Sequence, residues 1–426
     1  MTDEPVIVDV TGGADGVAAS YAAALALADA FDTAGDRLRG WGTDGLRTMR
    51  DPDLLESGLL SPGSCAAAEE AVMAAAAGPH GSLAASLGWE VDAVAVRSAI
   101  AYLEGTDLAV RTAMATLDRR LAPVEVAGLA AVVAADGPDA LTEHPGLLSH
   151  TVTALGGPAT AAALSALYGD PGRAVVTPYD VAVPGSGVQP RSVRELLEHL
   201  RRVAELSGTP DSPANGTIEV QTITQPGGQV RHIVYLPGTD DFAAPWDQDS
   251  DVRDLQTNLQ LAGGWPDVYQ QGIVQAMDDA GVRSGQPVLL VGHSQGGMAA
   301  AALLAGHPAG AQVTDVVTAG SPTAQVHGFP AGSHVLSLEQ LGDVVPQLDG
   351  APNADSVEQT TLTFDAHPEA GVLGHHGYEV YEQGAALADS SRDPSVSEAV
   401  HSLHAHGFLG EGGQVTSQVF QILRAP

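Results

Sequence analysis

The feature that most constrains the fold of this chain is a short apolar segment that passes directly into a glycine-rich turn. Residues 287–291 read Pro-Val-Leu-Leu-Val, which is typical of a buried strand, and residues 292–296 read Gly-His-Ser-Gln-Gly. An alanine-rich run over 297–304 follows at once and predicts a helix. Glycines two positions before and after Ser294 let the neighbouring backbone approach closely. The pattern therefore predicts a strand, a tight turn that presents the Ser294 hydroxyl, and a helix.

The same turn supplies a second chemical group. A chain with 50 glycines can contain Gly-x-Ser-x-Gly by chance, so the flanking strand and helix carry the argument. The helix starts next to Gln295, whose backbone N–H then lies at a helix N-terminus, where unpaired N–H groups favour negative charge. We expect this N–H to stabilise an oxyanion that develops during attack by Ser294.

The two halves of the chain differ in pattern. From about residue 15 to 168, apolar residues recur every three or four positions, which predicts helices. A Pro/Gly-rich span follows, and beyond it short strand-like runs such as 218–224 alternate with helical patterns, which predicts a mostly parallel sheet flanked by helices. We predict an α-helical domain at 1–170, a linker at 171–190 and a catalytic α/β domain at 191–426.

Composition limits the partners and the compartment. The formal charge is −34, and all eighteen basic residues are arginine, so nucleic acids and anionic membrane surfaces are disfavoured as partners. The single cysteine, Cys65, excludes an internal disulfide framework. The N-terminus resembles no secretory signal, and every Ala-rich run is interrupted before it could span a bilayer. We expect a soluble cytoplasmic protein without a transmembrane segment, with non-classical export as the alternative.

The segment around Ser294 resembles the lipase and esterase branches of the α/β-hydrolase superfamily, and is similar to actinobacterial hydrolases with a Gly-His-Ser-Gln-Gly-Gly motif. The resemblance covers roughly residues 215–426 and includes the Pro237-Gly238-Thr239 turn. It implies an α/β-hydrolase fold and a catalytic triad in which the acid and then the histidine follow the serine. It implies no cofactor.

The acid of such a triad should follow a strand beyond Ser294. Residues 335–338 read Val-Leu-Ser-Leu, and Gly342-Asp343-Val344-Val345-Pro346 follows them. This Gly-Asp-x-Val-Pro string resembles the turn that presents the acid in lipases, so Asp343 is the favoured acid. Glu339 is the alternative, although it could equally be a charge at a helix N-terminus.

The base should be a histidine further along the chain. Gly374-His375-His376-Gly377 resembles the family's loop in which the catalytic histidine precedes a helix that carries a tyrosine five residues on. Tyr381 stands five residues after His376, which makes His376 the favoured base and His375 the alternative. The base takes the Ser294 proton and returns it to the leaving group, while the acid orients the ring.

The second oxyanion donor should come from a loop that follows an earlier strand. Gly238-Thr239 after the apolar Tyr235-Leu236 resembles the oxyanion turn of lipases, which assigns the donor to the backbone N–H of Thr239. Asp240 and Asp241 follow directly. Carboxylates pointing into an oxyanion hole oppose negative charge, so we expect both to face solvent.

These residues favour ester hydrolysis through an acyl-enzyme on Ser294, with a small-molecule or lipid acyl ester as substrate. A thioesterase or an acyltransferase uses the same triad and is not distinguished by the sequence. The clustered His401, His404 and His406 have no cysteine or carboxylate at ligand spacing, so we interpret them as a solvated helix face and expect no metal.

The helical half suggests a different class of function. Gly40-Trp41-Gly42 and Gly88-Trp89 faintly resemble turns in the helical modules of type VII secretion substrates, although neither has the family's Trp-x-Gly order. The alternative function is therefore a secretion-associated interaction protein, with a protein partner for the helical domain and a secondary hydrolase domain. A third hypothesis makes this half a lid over the site.

Overall fold

The structure, a computed structural model, describes a large part of the chain. It covers residues 4–106, 161, 165–169, 171–207, 212–241, 249–308, 310–367 and 371–425. The chain divides into two compact units, one formed by residues 18–113 and the other by residues 1–17 together with 114–426. Each unit is described on its own.

The first unit is helical in its described part. Its helices pack through small residues, because Ala28, Ala76 and Ala93 are among its few buried side chains and a Cβ at Gly42 would lie 2.7 Å from Leu83. None of the helices within the described ranges is both long and apolar enough to cross a membrane. The helices are α1 (Val17–Thr48), α2 (Pro52–Leu60), α3 (Pro62–Ala77) and α4 (82–106).

The second unit is built on a nine-stranded sheet in its described part. The strands run in the spatial order β1-β8-β7-β6-β5-β4-β3-β9-β2. The four pairings that join β4, β5, β6, β7 and β8 are parallel, whereas the pairings β1–β8, β3–β4, β3–β9 and β2–β9 are antiparallel. The strands are β1 (Val6–Gly12), β2 (Arg173–Pro178), β3 (Thr217–Thr224), β4 (Val230–Leu236), β5 (Pro287–His293), β6 (Gln312–Ala319), β7 (His334–Gln340), β8 (Gln359–Asp365) and β9 (Gln414–Ala425).

The predicted fold class, an α/β-hydrolase fold with a mostly parallel sheet preceded by an all-α domain, is wrong. Only half of the pairings in the sheet are parallel, and the C-terminal strand β9 lies antiparallel between β3 and β2. Strand β1 belongs to the segment predicted as all-α, and β2 lies within the span predicted as a linker. Both are edge strands of six or seven residues. Such a short stretch gives little alternation of apolar and polar residues, so it is hard to recognise beside long Ala-rich helices and a Pro/Gly-rich loop.

Helices cover both faces of the sheet. Side chains alternate along the strands, so Leu289 and Val291 of β5 join one core and Val288 and Leu290 join the other. Helices α5, α10 and α11 cover the first core, and α6, α7 and α8 cover the second. The helices are α5 (Val193–Ala204), α6 (Leu255–Ala262), α7 (Val268–Asp279), α8 (Gln295–Gly306), α9 (Val372–His376), α10 (Tyr378–Ser390) and α11 (Pro394–Ala405).

Asp267 begins helix α7 from a buried position. Its Oδ1 accepts a hydrogen bond from the Gln270 backbone N–H at 2.8 Å, whereas its Oδ2 has no partner within the described residues. Burial raises the pKa of Asp267 to about 7. The folded protein therefore holds a proton that the unfolded chain releases near its usual pKa of 3.8.

This proton makes stability depend on pH. Between about pH 4 and 7 the folded state binds more protons at Asp267 than the unfolded state, so the free energy of unfolding falls as the pH rises through that window. Asp267→Asn keeps the cap oxygen and removes the titration. We expect the variant to match wild type at or below about pH 4, where Asp267 is protonated in both states, and to exceed it in Tm at about pH 8. Parallel melting curves check this, and identical pH dependence in both proteins contradicts it.

Candidate active site

Ser294 occupies a strained turn between β5 and α8. Its backbone has φ 53° and ψ −121°, a positive φ that non-glycine residues rarely adopt. Its N–H donates to Ala319 O on β6 at 2.9 Å. A Cβ at Gly296 would lie 1.9 Å from Leu236 O, and one at Gly297 would lie 2.0 Å from Ser321 Oγ. Glycine is therefore required for the helix to start this close to the neighbouring strands.

Asp343 and His376 form a hydrogen-bonded pair at the same end of the sheet. His376 Nδ1 lies 2.7 Å from Asp343 Oδ2, and the Asp343 side chain is fully buried while the ring is 17% exposed. The Tyr381 hydroxyl donates to the same Oδ2 at 2.6 Å, and the Val345 N–H donates to Oδ1 at 2.9 Å. Three donors thus surround the carboxylate, which acts as an acceptor that fixes the imidazole ring.

The two alternative residues lie elsewhere. His375 Nδ1 is 3.1 Å from the Leu341 carbonyl oxygen, and Glu339 Oε1 accepts from Asn353 Nδ2 at 2.7 Å. Burial, reinforced by nearby Asp349, raises the pKa of Glu339 to about 7. Among the described residues neither side chain joins the pair of Asp343 and His376.

His293 connects the pair to the nucleophile. Its ring centroid lies 4.5 Å from that of His376, and its Nε2 is 3.0 Å from the His376 carbonyl oxygen. Burial and the neighbouring His376 hold the pKa of His293 well below its usual value, so His293 is neutral and donates through Nε2–H. Within the described residues Ser294 Oγ makes no hydrogen bond to the His376 ring, a contact that often tightens only when substrate binds.

The two expected oxyanion donors are both available. Among the described residues the backbone N–H groups of Thr239 and Gln295 have no hydrogen-bond partner. Thr239 Oγ1 accepts from Asn258 Nδ2 at 2.9 Å, which fixes the Thr239 side chain. A Cβ at Gly238 would lie 3.1 Å from Ser294 Cβ, which places the Gly238-Thr239 turn against the nucleophile.

The expectation that both Asp240 and Asp241 face solvent is wrong for Asp240. The Asp240 side chain is 7% exposed and forms a 2.5 Å ion pair with Arg253, which is fully buried. Asp240 Oδ2 also accepts from the Gly216 N–H at 3.0 Å. The carboxylate is therefore neutralised by a cation that sequence reasoning did not single out. Arg253 lies in a short segment with no periodic pattern, so no local sequence signal indicates that it is buried or functional.

An apolar groove lies beside helix α8. Met298 and Ala302 are four residues apart on one face of the helix and both line the groove, and Met298 follows Ser294 by four residues. The cavity measures about 310 Å³. Its opposite walls come from the end of α6 (Leu261), from the loop after α6 (Trp265 and Pro266) and from the loop after β6 (Pro322).

The three clustered histidines lie in α11 and the turn that follows it. His406 Nδ1 lies 2.6 Å from Asp315 Oδ2, and the hydrogen bond that the ring donates to this fully buried carboxylate raises the pKa of His406. Ser402 Oγ donates to Asp315 Oδ1 at 2.5 Å, so the pair fastens α11 to β6. Within the part of the chain that is described, no three His, Cys, Asp or Glu side chains form a group that could hold a metal ion.

Compared with protein-family models, with curated proteins and with solved structures, the chain matches none of them. The chemistry of the site therefore rests on its geometry.

Proposed function

We propose that this chain is a serine hydrolase that cleaves carboxylic esters through an acyl-enzyme on Ser294. The observation that carries the proposal is the buried Asp343 carboxylate bonded to His376 Nδ1, with the His376 ring 4.5 Å from the ring of His293, the residue before a strained serine. A carboxylate, an imidazole and a serine in this relation are the components of nucleophilic acyl transfer.

The first step forms the acyl-enzyme. His376 Nε2 accepts the proton of Ser294 Oγ as the oxygen attacks the carbonyl carbon of the ester. The negative charge that develops on the carbonyl oxygen is stabilised by the N–H groups of Thr239 and Gln295. Collapse of the tetrahedral intermediate breaks the C–O bond to the alcohol, which leaves with the proton from His376. Asp343 keeps Nδ1 protonated and stabilises the imidazolium.

The second step releases the acid. Water gives a proton to His376 Nε2 and attacks the acyl carbon, and the same N–H groups stabilise the second oxyanion. Ser294 Oγ then takes the proton back and the carboxylic acid departs. A thioester enters the same cycle with a thiol as leaving group, and an acyltransferase replaces water by another alcohol.

The groove along α8 favours an apolar acyl group. Its lining by Leu261, Trp265, Met298 and Ala302 offers carbon surface that begins one helical turn from Ser294. A test of the proposal compares p-nitrophenyl esters from acetate to decanoate with the matching thioesters. Saturable ester hydrolysis supports the proposal. Hydrolysis of the thioesters alone would instead identify the protein as a thioesterase. No hydrolysis of any ester or thioester would contradict the proposal.

A bulky residue in the groove should shorten the preferred acyl chain. Ala302→Phe fills the groove four residues beyond Met298, so we expect kcat/KM for decanoate to fall by about tenfold or more while that for acetate stays within about twofold. Ala386→Phe is the matched control, because Ala386 is also a partly buried helical alanine but lies on α10, across the sheet. Equal losses for both esters, or the same profile in the control, contradict this role of the groove.

A further inference from the structure

Arg253 is the largest fully buried side chain of the described residues, and it contacts the turn that carries the expected oxyanion donor. Its Nη1 donates to the Gly238 carbonyl oxygen at 3.1 Å. Its Nη2 donates to Ser207 Oγ at 2.6 Å and pairs with Asp240 Oδ2 at 2.5 Å. The guanidinium therefore binds the residues on both sides of Thr239.

The backbone of Arg253 holds the same turn. The N–H groups of Asp240 and Asp241 donate to the Arg253 carbonyl oxygen at 2.8 and 3.3 Å. The Arg253 side chain therefore contacts Gly238, the residue before Thr239. Its side chain and its backbone both contact Asp240, the residue after Thr239. The opposite side of Gly238 is held by Tyr378, whose hydroxyl accepts the Gly238 N–H at 3.2 Å.

The contact with Gly238 has a direct consequence for Thr239. The Gly238 carbonyl and the Thr239 N–H belong to one peptide group, which is planar and trans, so the two bonds point in opposite directions. When the guanidinium holds the oxygen, the N–H is directed away from Arg253. A charged donor on the carbonyl also polarises the peptide and strengthens the N–H as a donor.

Burial of this cation needs an explanation other than stability. A fully buried ion pair costs desolvation that its own attraction often fails to repay, and Arg253 Nε has no partner within the described residues. A fixed, water-excluded charge is instead well suited to act on a charge that appears during a reaction, because no solvent must reorganise around it.

We propose that Arg253 is the positioning residue of the oxyanion hole. Its guanidinium orients and polarises the Gly238–Thr239 peptide so that the Thr239 N–H faces the developing oxyanion, and Asp240 holds the guanidinium in place. This inference rests on the proposed hydrolase function, and it adds a residue that does not touch the substrate.

The test separates stabilisation of the transition state from general damage. Arg253→Lys keeps the positive charge and removes the two-pronged contact. We expect kcat to fall on the order of 10²-fold, because the Thr239 N–H no longer points at the oxyanion. KM should stay within about threefold of wild type, because the surface that binds substrate is unchanged. Phenylboronic acid, which forms a tetrahedral adduct with an active serine, should bind more weakly by the same factor as kcat/KM falls.

Two further variants keep the inference testable if Arg253→Lys does not fold. Asp240→Asn removes the negative charge that pairs with the guanidinium, and Ser207→Ala removes the hydroxyl that accepts from it. We expect smaller losses in both variants, and boronate affinity should again fall in proportion to kcat/KM. Arg231→Lys, at the opposite end of β4, is the control for replacing a partly buried arginine and should leave both quantities unchanged.

The two proposals fail in different ways. Wild-type protein that neither hydrolyses esters nor binds the boronate contradicts the hydrolase function itself. Active wild type whose Arg253 and Asp240 variants keep full boronate affinity, or lose activity only through KM, overturns the role of Arg253 and leaves the hydrolase function standing.

Discussion

Ser294→Ala lowers kcat for p-nitrophenyl esters by about 10⁶-fold relative to wild type, because no other group can form the acyl-enzyme. The substitution should leave the fold intact, because the backbone already holds a residue with a Cβ at this positive φ, and alanine has the same Cβ as serine. Steady-state hydrolysis with circular dichroism spectra of both proteins measures the effect. The residual rate should resemble that of the triad-free site, which retains only binding and the oxyanion donors.

Ser321→Ala is the matched control for this change. Ser321 is also buried beside α8, where its hydroxyl donates to Ala319 O at 3.1 Å, but it plays no part in the proposed cycle. We expect this variant to keep most of the activity. An active Ser294→Ala protein, or equal losses in both variants, would contradict the assignment of the nucleophile.

His376→Ala removes the proposed base and should lower kcat to a similar extent, by about 10⁶-fold, because the serine hydroxyl then has no proton acceptor. The adjacent His375 supplies the control, since its ring binds the Leu341 carbonyl oxygen instead of Asp343. We expect His375→Ala to stay within about tenfold of wild type. Rate measurements on the two single variants decide which neighbouring histidine acts.

A large loss of activity in His375→Ala with a small loss in His376→Ala would identify His375 as the base and contradict the site described above. Comparable, small losses in both variants contradict a histidine base altogether.

The turn around Ser294 could be anticipated because its requirements are local. A strand, a helix and glycines at fixed positions are encoded within about twenty consecutive residues, and each close approach at Gly296 and Gly297 leaves no room for a side chain. Asp343 and His376 were proposed from a resemblance, and the structure brings them within 2.7 Å of each other.

The sheet could not be anticipated to the same degree because its pairings are non-local. Strand β9 lies between β3 and β2, so residues near the C-terminus contact residues around 173–178 and 217–224. Hydrophobic periodicity shows that a segment is a strand but not which neighbour it takes or in which direction. The prediction of a mostly parallel sheet failed at this step.

Arg253 was overlooked for a related reason. Its ion pair with Asp240 joins two residues of short irregular segments, and an arginine there ordinarily indicates a solvated surface. The adjacent acidic residues suggested a surface loop. Only the three-dimensional packing shows that Asp240 points inwards and meets a buried cation.

Covalent labelling of the native protein tests the central claim most directly. A fluorophosphonate reacts with a serine only where that hydroxyl is activated, and peptide mass spectrometry locates the adduct. We expect a single stoichiometric adduct on Ser294 in wild type and in His375→Ala, and none in His376→Ala over the same time. Absence of labelling at Ser294, or equal labelling of wild type and His376→Ala, would contradict a serine nucleophile activated by His376.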